Sequence, residues 1–186
     1  MSLKIFIDKY RNQFKAMASD YDQPFDLSKD EPIEFIDKDH VKLTFANIAD
    51  THLIDNESAT INLGNFFQDI SNAKGKFDAV LIAGDLSEYG KTAEYNRFFN
   101  VFDQYKEKFK LFVTMGNHDV RFLFPRNQKI IMDKVNEYLG IDTKGKSYYS
   151  YDVNGYTFIV IGTEKRVLEK AHITQAQIDE LFEMME

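Results

Sequence analysis

The chain has 186 residues, 44% hydrophobic and 28% charged, with 17 Phe and 10 Tyr. That length and aromatic content suit one packed domain and exclude a chain that is disordered throughout. A net charge of −7 argues against general nucleic-acid binding, which needs Lys and Arg to neutralise phosphates, and the lack of Cys excludes disulfides and thiolate-bound zinc.

No apolar run approaches the roughly 18 residues of a membrane span. The N-terminal run, soon broken by Asp8, Lys9 and Arg11, is too short for a signal peptide. A soluble protein is expected, cytoplasmic or extracytoplasmic after removal of a signal. Residues 3–19 carry Phe6, Ile7, Tyr10, Phe14 and Met17 at helical spacing, which predicts a short amphipathic helix packed on the outside of the domain. Residues 20–32 hold two of the three prolines and read as a connector. Residues 1–32 therefore form an N-terminal helix and connector, and 33–186 a single larger domain.

From residue 33 the pattern changes. Ile33–Ile36 and Val41–Ala46 flank Asp37–His40 and predict a hairpin, with Val41, Leu43 and Phe45 alternating as a half-buried strand does. A helix is predicted over 58–73. Ala79–Ala83 is a continuous apolar run, expected as a strand buried on both faces. A helix over 92–108, a buried strand over Lys110–Met115 and a helix over 126–139, stopped by Gly140, follow. Residues 147–153 and 156–161 flank Asn154-Gly155, the pair that suits a type I′ turn. Thr174–Gln177 is a capping box opening a last helix through Ile178, Leu181 and Met185. Strands alternating with helices predict an α/β fold with parallel central strands.

Three polar motifs follow the three central strands: Asp50-Thr-His52, Gly84-Asp85-Leu-Ser-Glu-Tyr-Gly90, and Gly116-Asn-His-Asp119. Parallel strands put their carboxyl ends on one sheet edge, so the motifs should converge in the crevice where α/β proteins bind ligands. Asp50 and His52 can turn into one cavity, Asp85 can bridge two cations, and Asn117 offers a neutral oxygen. Carboxylate, imidazole and amide donors without thiolate suit Mn, Fe or Zn rather than Mg or Ca. Gly84 and Gly116 are expected to let the backbone turn where a Cβ would crowd the ligands. Each motif alone has an ordinary reading. His52 could be a surface histidine, Asp85 a helix cap, and Asn117–Asp119 a polar turn. The order and spacing of all three make that joint reading improbable.

Asp-x-His, Gly-Asp with a later Gly, and Gly-Asn-His-Asp together resemble the calcineurin-like metallophosphoesterase family, over about residues 41–186. The resemblance implies a sandwich of two mixed β-sheets flanked by helices, incomplete at the C-terminal end. It also implies two divalent or mixed-valence transition-metal ions at the strand ends and hydrolysis of phosphoesters by a metal-activated water. Asp50 and His52 would bind the first ion, Asp85 both, and Asn117 the second. His118 would contact the phosphate and protonate the leaving oxygen, with Asp119 orienting its ring.

Glu88 stands where the family often has Asp or Asn and receives no role. Arg121 is expected in a surface salt bridge rather than on the phosphate. The family's later histidine motifs have no counterpart here, so the chain is expected to be the N-terminal part of the catalytic domain, with its second ion poorly held. It is also expected to associate through an exposed C-terminal edge. A small phosphorylated substrate is expected, with phosphodiesters slightly preferred because the second and third motifs look like a bacterial phosphodiesterase branch. The rival readings are a non-catalytic module with a partial metal site, and a nuclease.

Overall fold

The computed structural model describes residues 41–165 and 172–185. The predicted N-terminal helix, the connector and the first arm of the predicted hairpin lie outside the described residues. Strands β1 (Phe45–Ile48), β2 (Ala79–Ala83) and β3 (Lys110–Thr114) form a parallel sheet in sequential order, with Phe45 opposite Ala79 and Ala79 opposite Lys110. Right-handed crossovers between strands in sequential order place their helices on one face. These helices are α1 (Glu57–Ser71) and α2 (Thr92–Phe102). After β3 come the short α3 (Asn117–Arg121) and α4 (Arg126–Leu139).

Each helix forms because its apolar residues recur on one side. Leu63, Phe66, Phe67 and Ile70 of α1, Tyr95, Phe98, Phe99 and Phe102 of α2, and Ile131, Met132, Val135 and Leu139 of α4 are all buried. The Asn56 side chain accepts from the Ala59 N–H at 2.8 Å and so caps α1. Phe67 joins the helices by ring contacts at 5.4 Å to both Phe102 and Tyr105. Under this layer lie Ala46, Ile48, Val80, Ile82, Leu111 and Val113.

Three predicted details change. β1 begins at Phe45 rather than Val41; just before it Thr44 is tied to Asp78, its N–H donating to the carboxylate at 3.0 Å and its carbonyl accepting from the Asp78 N–H at 2.8 Å. The buried face of β1 is Ala46 and Ile48, while Val41 and Phe45 are exposed. On its other face β2 is less covered than predicted, with Leu81 half-buried and Ala83 exposed. Helix α2 stops at Phe102 rather than continuing to 108. Tyr105 N–H bonds the Phe102 carbonyl and Lys108 N–H the Tyr105 carbonyl in successive tight turns that bring the chain back to β3.

Strands β4 (Tyr148–Val153) and β5 (Tyr156–Ile161) form the predicted hairpin, with Asn154 (φ 52°) and Gly155 (φ 80°) in the left-handed conformation that a type I′ turn requires. The hairpin packs on the less covered face of the parallel sheet. Phe158 stacks on Phe112 at 4.6 Å and meets Phe45 edge-on at 5.8 Å. The Tyr149 hydroxyl accepts from the Val113 N–H at 2.9 Å and donates to the Val113 carbonyl at 3.2 Å. Among the described residues the α/β fold thus has one parallel sheet of three strands and one antiparallel sheet of two.

Helix α5 (Gln175–Met185) opens on the predicted capping box, with Thr174 N–H donating to the Gln177 side chain at 2.8 Å and Gln177 N–H to the Thr174 hydroxyl at 3.2 Å. Its Gln177 is buried, whereas Ile178, Phe182 and Met185 are exposed. Among the described residues, no helix is long and apolar enough to cross a membrane.

Replacing Gly155 by Ala should cost about 1 kcal/mol, the penalty of a left-handed residue bearing a Cβ. Urea denaturation should show the midpoint fall with an unchanged slope.

Candidate metal centre

The loops after β1 and β2 continue the parallel pairing of their strands. Asp50 N–H donates to the Gly84 carbonyl at 3.1 Å, His52 N–H to Asp85 at 2.9 Å, and Leu53 N–H to Leu86 at 2.9 Å. Glu88 N–H returns a bond to the Leu53 carbonyl at 3.1 Å. This zipper holds the first two motifs side by side. Within it Asp50, His52 and Asp85 all adopt positive φ, at 58°, 41° and 52°. Non-glycine residues avoid that region unless their surroundings impose it, and such strain collects at functional sites. Gly84, at φ 84°, gives the turn into Asp85.

The third motif is docked by contact. A Cβ on Gly116 would lie 2.1 Å from Asp85 Oδ1, so only glycine lets the loop after β3 approach. The expected sharp turn is absent there: Gly116 has an ordinary φ of −90°, and its role is close approach alone. Asp85 Oδ1 accepts from the His118 N–H at 2.8 Å, which orients the carboxylate.

The first two motifs bring three donors together. His52 Nε2 lies 3.5 Å from Asp50 Oδ1 and 3.9 Å from Asp85 Oδ2. Each of Asp50, His52 and Asp85 offers one ligand atom within 4.8 Å of the others. Side-chain exposure rises from 11% for Asp85 through 27% for His52 to 65% for Asp50, so the cluster opens to solvent on the Asp50 side. Two carboxylates facing an imidazole nitrogen fit a divalent transition metal. Asn117 is half-buried at the start of α3, on the same sheet edge.

His118 and Asp119 have separate sets of partners. Asp119 is wholly buried and does not touch the His118 ring. Its carboxylate accepts from Gly116 N–H at 3.0 Å, Leu86 N–H at 3.3 Å, Ser87 N–H at 3.4 Å and the Tyr95 hydroxyl at 3.1 Å. Helix geometry explains this, since α3 turns the adjacent side chains His118 and Asp119 in different directions. Burial pushes the Asp119 carboxyl up to about 6, with the nearby Asp85 charge adding to the rise.

The His118 ring instead donates from Nδ1 to the Glu88 carbonyl at 2.9 Å, and Arg121 Nη2 sits 3.1 Å from its Nε2. Glu88, which received no role from the sequence, lies between two histidines. Its Oε2 is 2.6 Å from His52 Nδ1 and its Oε1 3.7 Å from His118 Nδ1. The signal available was its place in the same loop as Asp85. Glu94 supports that loop from α2, accepting from the N–H groups of Tyr89 and Lys91 at 3.1 Å each.

Residues 43–184 match the model of the calcineurin-like phosphoesterase family. The chain belongs to that family. The match runs from just before β1 to the last turn of α5, and so includes every strand-end loop of the centre. No curated protein matches the sequence. Membership makes the broad chemistry hydrolysis of phosphate esters, with metal ligands available among the Asp, His and Glu side chains.

Asp119→Ala strands three backbone N–H groups and a hydroxyl, and should cost on the order of 3 kcal/mol. Tyr95→Phe removes one of those partners and should cost about 1 kcal/mol. Thermal or urea unfolding of the two variants checks the order. Gly116→Ala should push Asp85 aside and weaken Mn²⁺ or Zn²⁺ binding at least about tenfold, as disturbing a ligand's support does elsewhere. Calorimetric titration would show this.

Proposed function

We propose that residues 33–186 act as the catalytic domain of a metal-dependent phosphoesterase, with residues 1–32 as an N-terminal extension. The carrying observation is the Asp50–His52–Asp85 cluster, whose ligand atoms lie within 4.8 Å at the carboxyl edge of the parallel sheet. Asp50 and His52 would hold a first ion, Asp85 would be shared between two, and Asn117 would hold the second. The donor set suits Mn, Fe or Zn, and the two sheets read as the layers of a sandwich. The bound metal supplies Lewis acidity toward the phosphoryl group and toward the attacking water.

The chain's own residues do the rest. Asp85, fixed by the His118 N–H, sets the spacing between the two halves of the site. The open side near Asp50 admits a small phosphorylated substrate. His118 serves as the acid for the leaving oxygen through Nε2, since its Nδ1 is bonded to the Glu88 carbonyl. Arg121, beside that Nε2, must give way to the leaving group or guide it in. Asp119 acts at a distance by holding the loops of Asp85 and His118 in register. Phosphodiesters are favoured over monoesters.

The test is to titrate metal into the chain and assay a chromogenic diester and monoester. Asp85→Ala should lose metal and all measurable turnover. His118→Ala should slow turnover by about 10²–10⁴-fold, the span of acid catalysis by a positioned side chain, and keep its metal. Metal lost along with His118 would remove the acid role. Faster monoester turnover would reverse the substrate preference.

A further inference from the structure

The geometry points to Glu88 as the positioning residue of His52: its carboxylate holds the ring as the Nδ1–H tautomer, leaving the Nε2 lone pair for a cation between Asp50 and Asp85. This rests on the reading of His52 as a metal ligand. A neutral imidazole carries one N–H and one lone pair, and a carboxylate only accepts. At 2.6 Å from Glu88 Oε2, Nδ1 must therefore be the protonated nitrogen. A lone pair there would oppose the carboxylate. Nε2 then presents its lone pair toward Asp50 Oδ1 at 3.5 Å and Asp85 Oδ2 at 3.9 Å. Three electron-rich atoms facing one another are stabilised by a shared cation, so the orientation Glu88 imposes is the one that metal binding completes.

The main chain around Glu88 is pinned on both sides. Its N–H bonds the Leu53 carbonyl at 3.1 Å, one residue past His52, and its carbonyl holds His118 Nδ1 at 2.9 Å. A parallel bridge between Leu53 and Ser87 sets the register of the two loops. From that base the Glu side chain reaches across to His52. Asp, shorter by one methylene, would not span the same gap. Carboxylate–histidine–metal arrangements of this kind raise ligand basicity and fix ring orientation.

The measurement is nitrogen-15 spectroscopy of the histidine rings in the full chain, with Zn²⁺ as probe and His52→Gln for assignment. In the wild-type chain at a pH where the ring is neutral, His52 should keep its proton on Nδ1, and Zn²⁺ should shift Nε2. Glu88→Gln should keep that tautomer, because the amide oxygen still accepts. Glu88→Ala and Glu88→Asp should show mixed tautomers and bind Zn²⁺ about 10- to 100-fold more weakly by calorimetry. Their amide spectra would confirm folding, and if Glu88→Ala does not fold, the wild-type and Glu88→Gln spectra still decide. A wild-type His52 protonated on Nε2 would overturn the assignment. So would unchanged Zn²⁺ affinity in folded Glu88→Ala, or Zn²⁺ shifting His118 and His52 Nδ1, which would put the cation among His52, Glu88 and His118 instead. Absent hydrolysis with the expected spectra would count against the proposed enzyme alone.

Discussion

The buried carboxylate of Asp119 is the joint on which the metal centre rests. It gathers the N–H of Gly116 from its own loop and those of Leu86 and Ser87 from the loop after β2. Those loops belong to different strands and have no covalent reason to stay in register. A shared acceptor in a dry interior makes their relative position a matter of hydrogen-bond geometry, where an unmade bond is costly. Asp85 follows Gly84 into the second loop, and its carboxylate takes the His118 N–H of the third. The loop after β1 is fastened separately, by the zipper of main-chain bonds to residues 84–86. With these two fastenings in place, left-handed conformations at Asp50, His52 and Asp85 are imposed by the surroundings.

Charge and access are arranged in the same direction. The innermost carboxylate, Asp119, carries no exposed surface, Asp85 very little, and Asp50 is mostly in water. A cation arriving from solvent would meet Asp50 first and be most fully desolvated at Asp85. Burial disfavours the charged form of Asp119, and the Asp85 charge adds to that cost.

What the sequence revealed depended on how local each determinant is. Asp50, His52 and Asp85 were legible because motif spacing and strand-end position together define a place in a parallel sheet. The Asn154-Gly155 turn and the Thr174–Gln177 cap were legible because a few adjacent residues determine them. The partners of Glu88 and Asp119 were not legible, because His52 lies 36 positions from Glu88, and Leu86 and Ser87 lie 33 and 32 from Asp119, so these bonds depend on side-chain reach or on which way a short helix turns. The buried face of β1 was misread for a similar reason. Phe45 is the larger residue, but Ala46 faces the helical layer, and period-two alternation cannot say which of two apolar faces that layer covers. The end of α2 at Phe102 escaped because Tyr105 continues the aromatic spacing while packing from a turn onto Phe67.

The Tyr149 phenol gives β3 an ending. An unpaired strand edge offers alternating N–H and carbonyl groups to any extended chain that passes. Val113 directs both of its main-chain groups at a single hydroxyl, which accepts from one and donates to the other. That oxygen takes the place that a residue of a neighbouring strand would occupy, in the middle of the edge rather than at its tip. Another strand could add to β3 there only by displacing a buried side chain from β4, so the sheet's growth is stopped by chemistry already inside the fold.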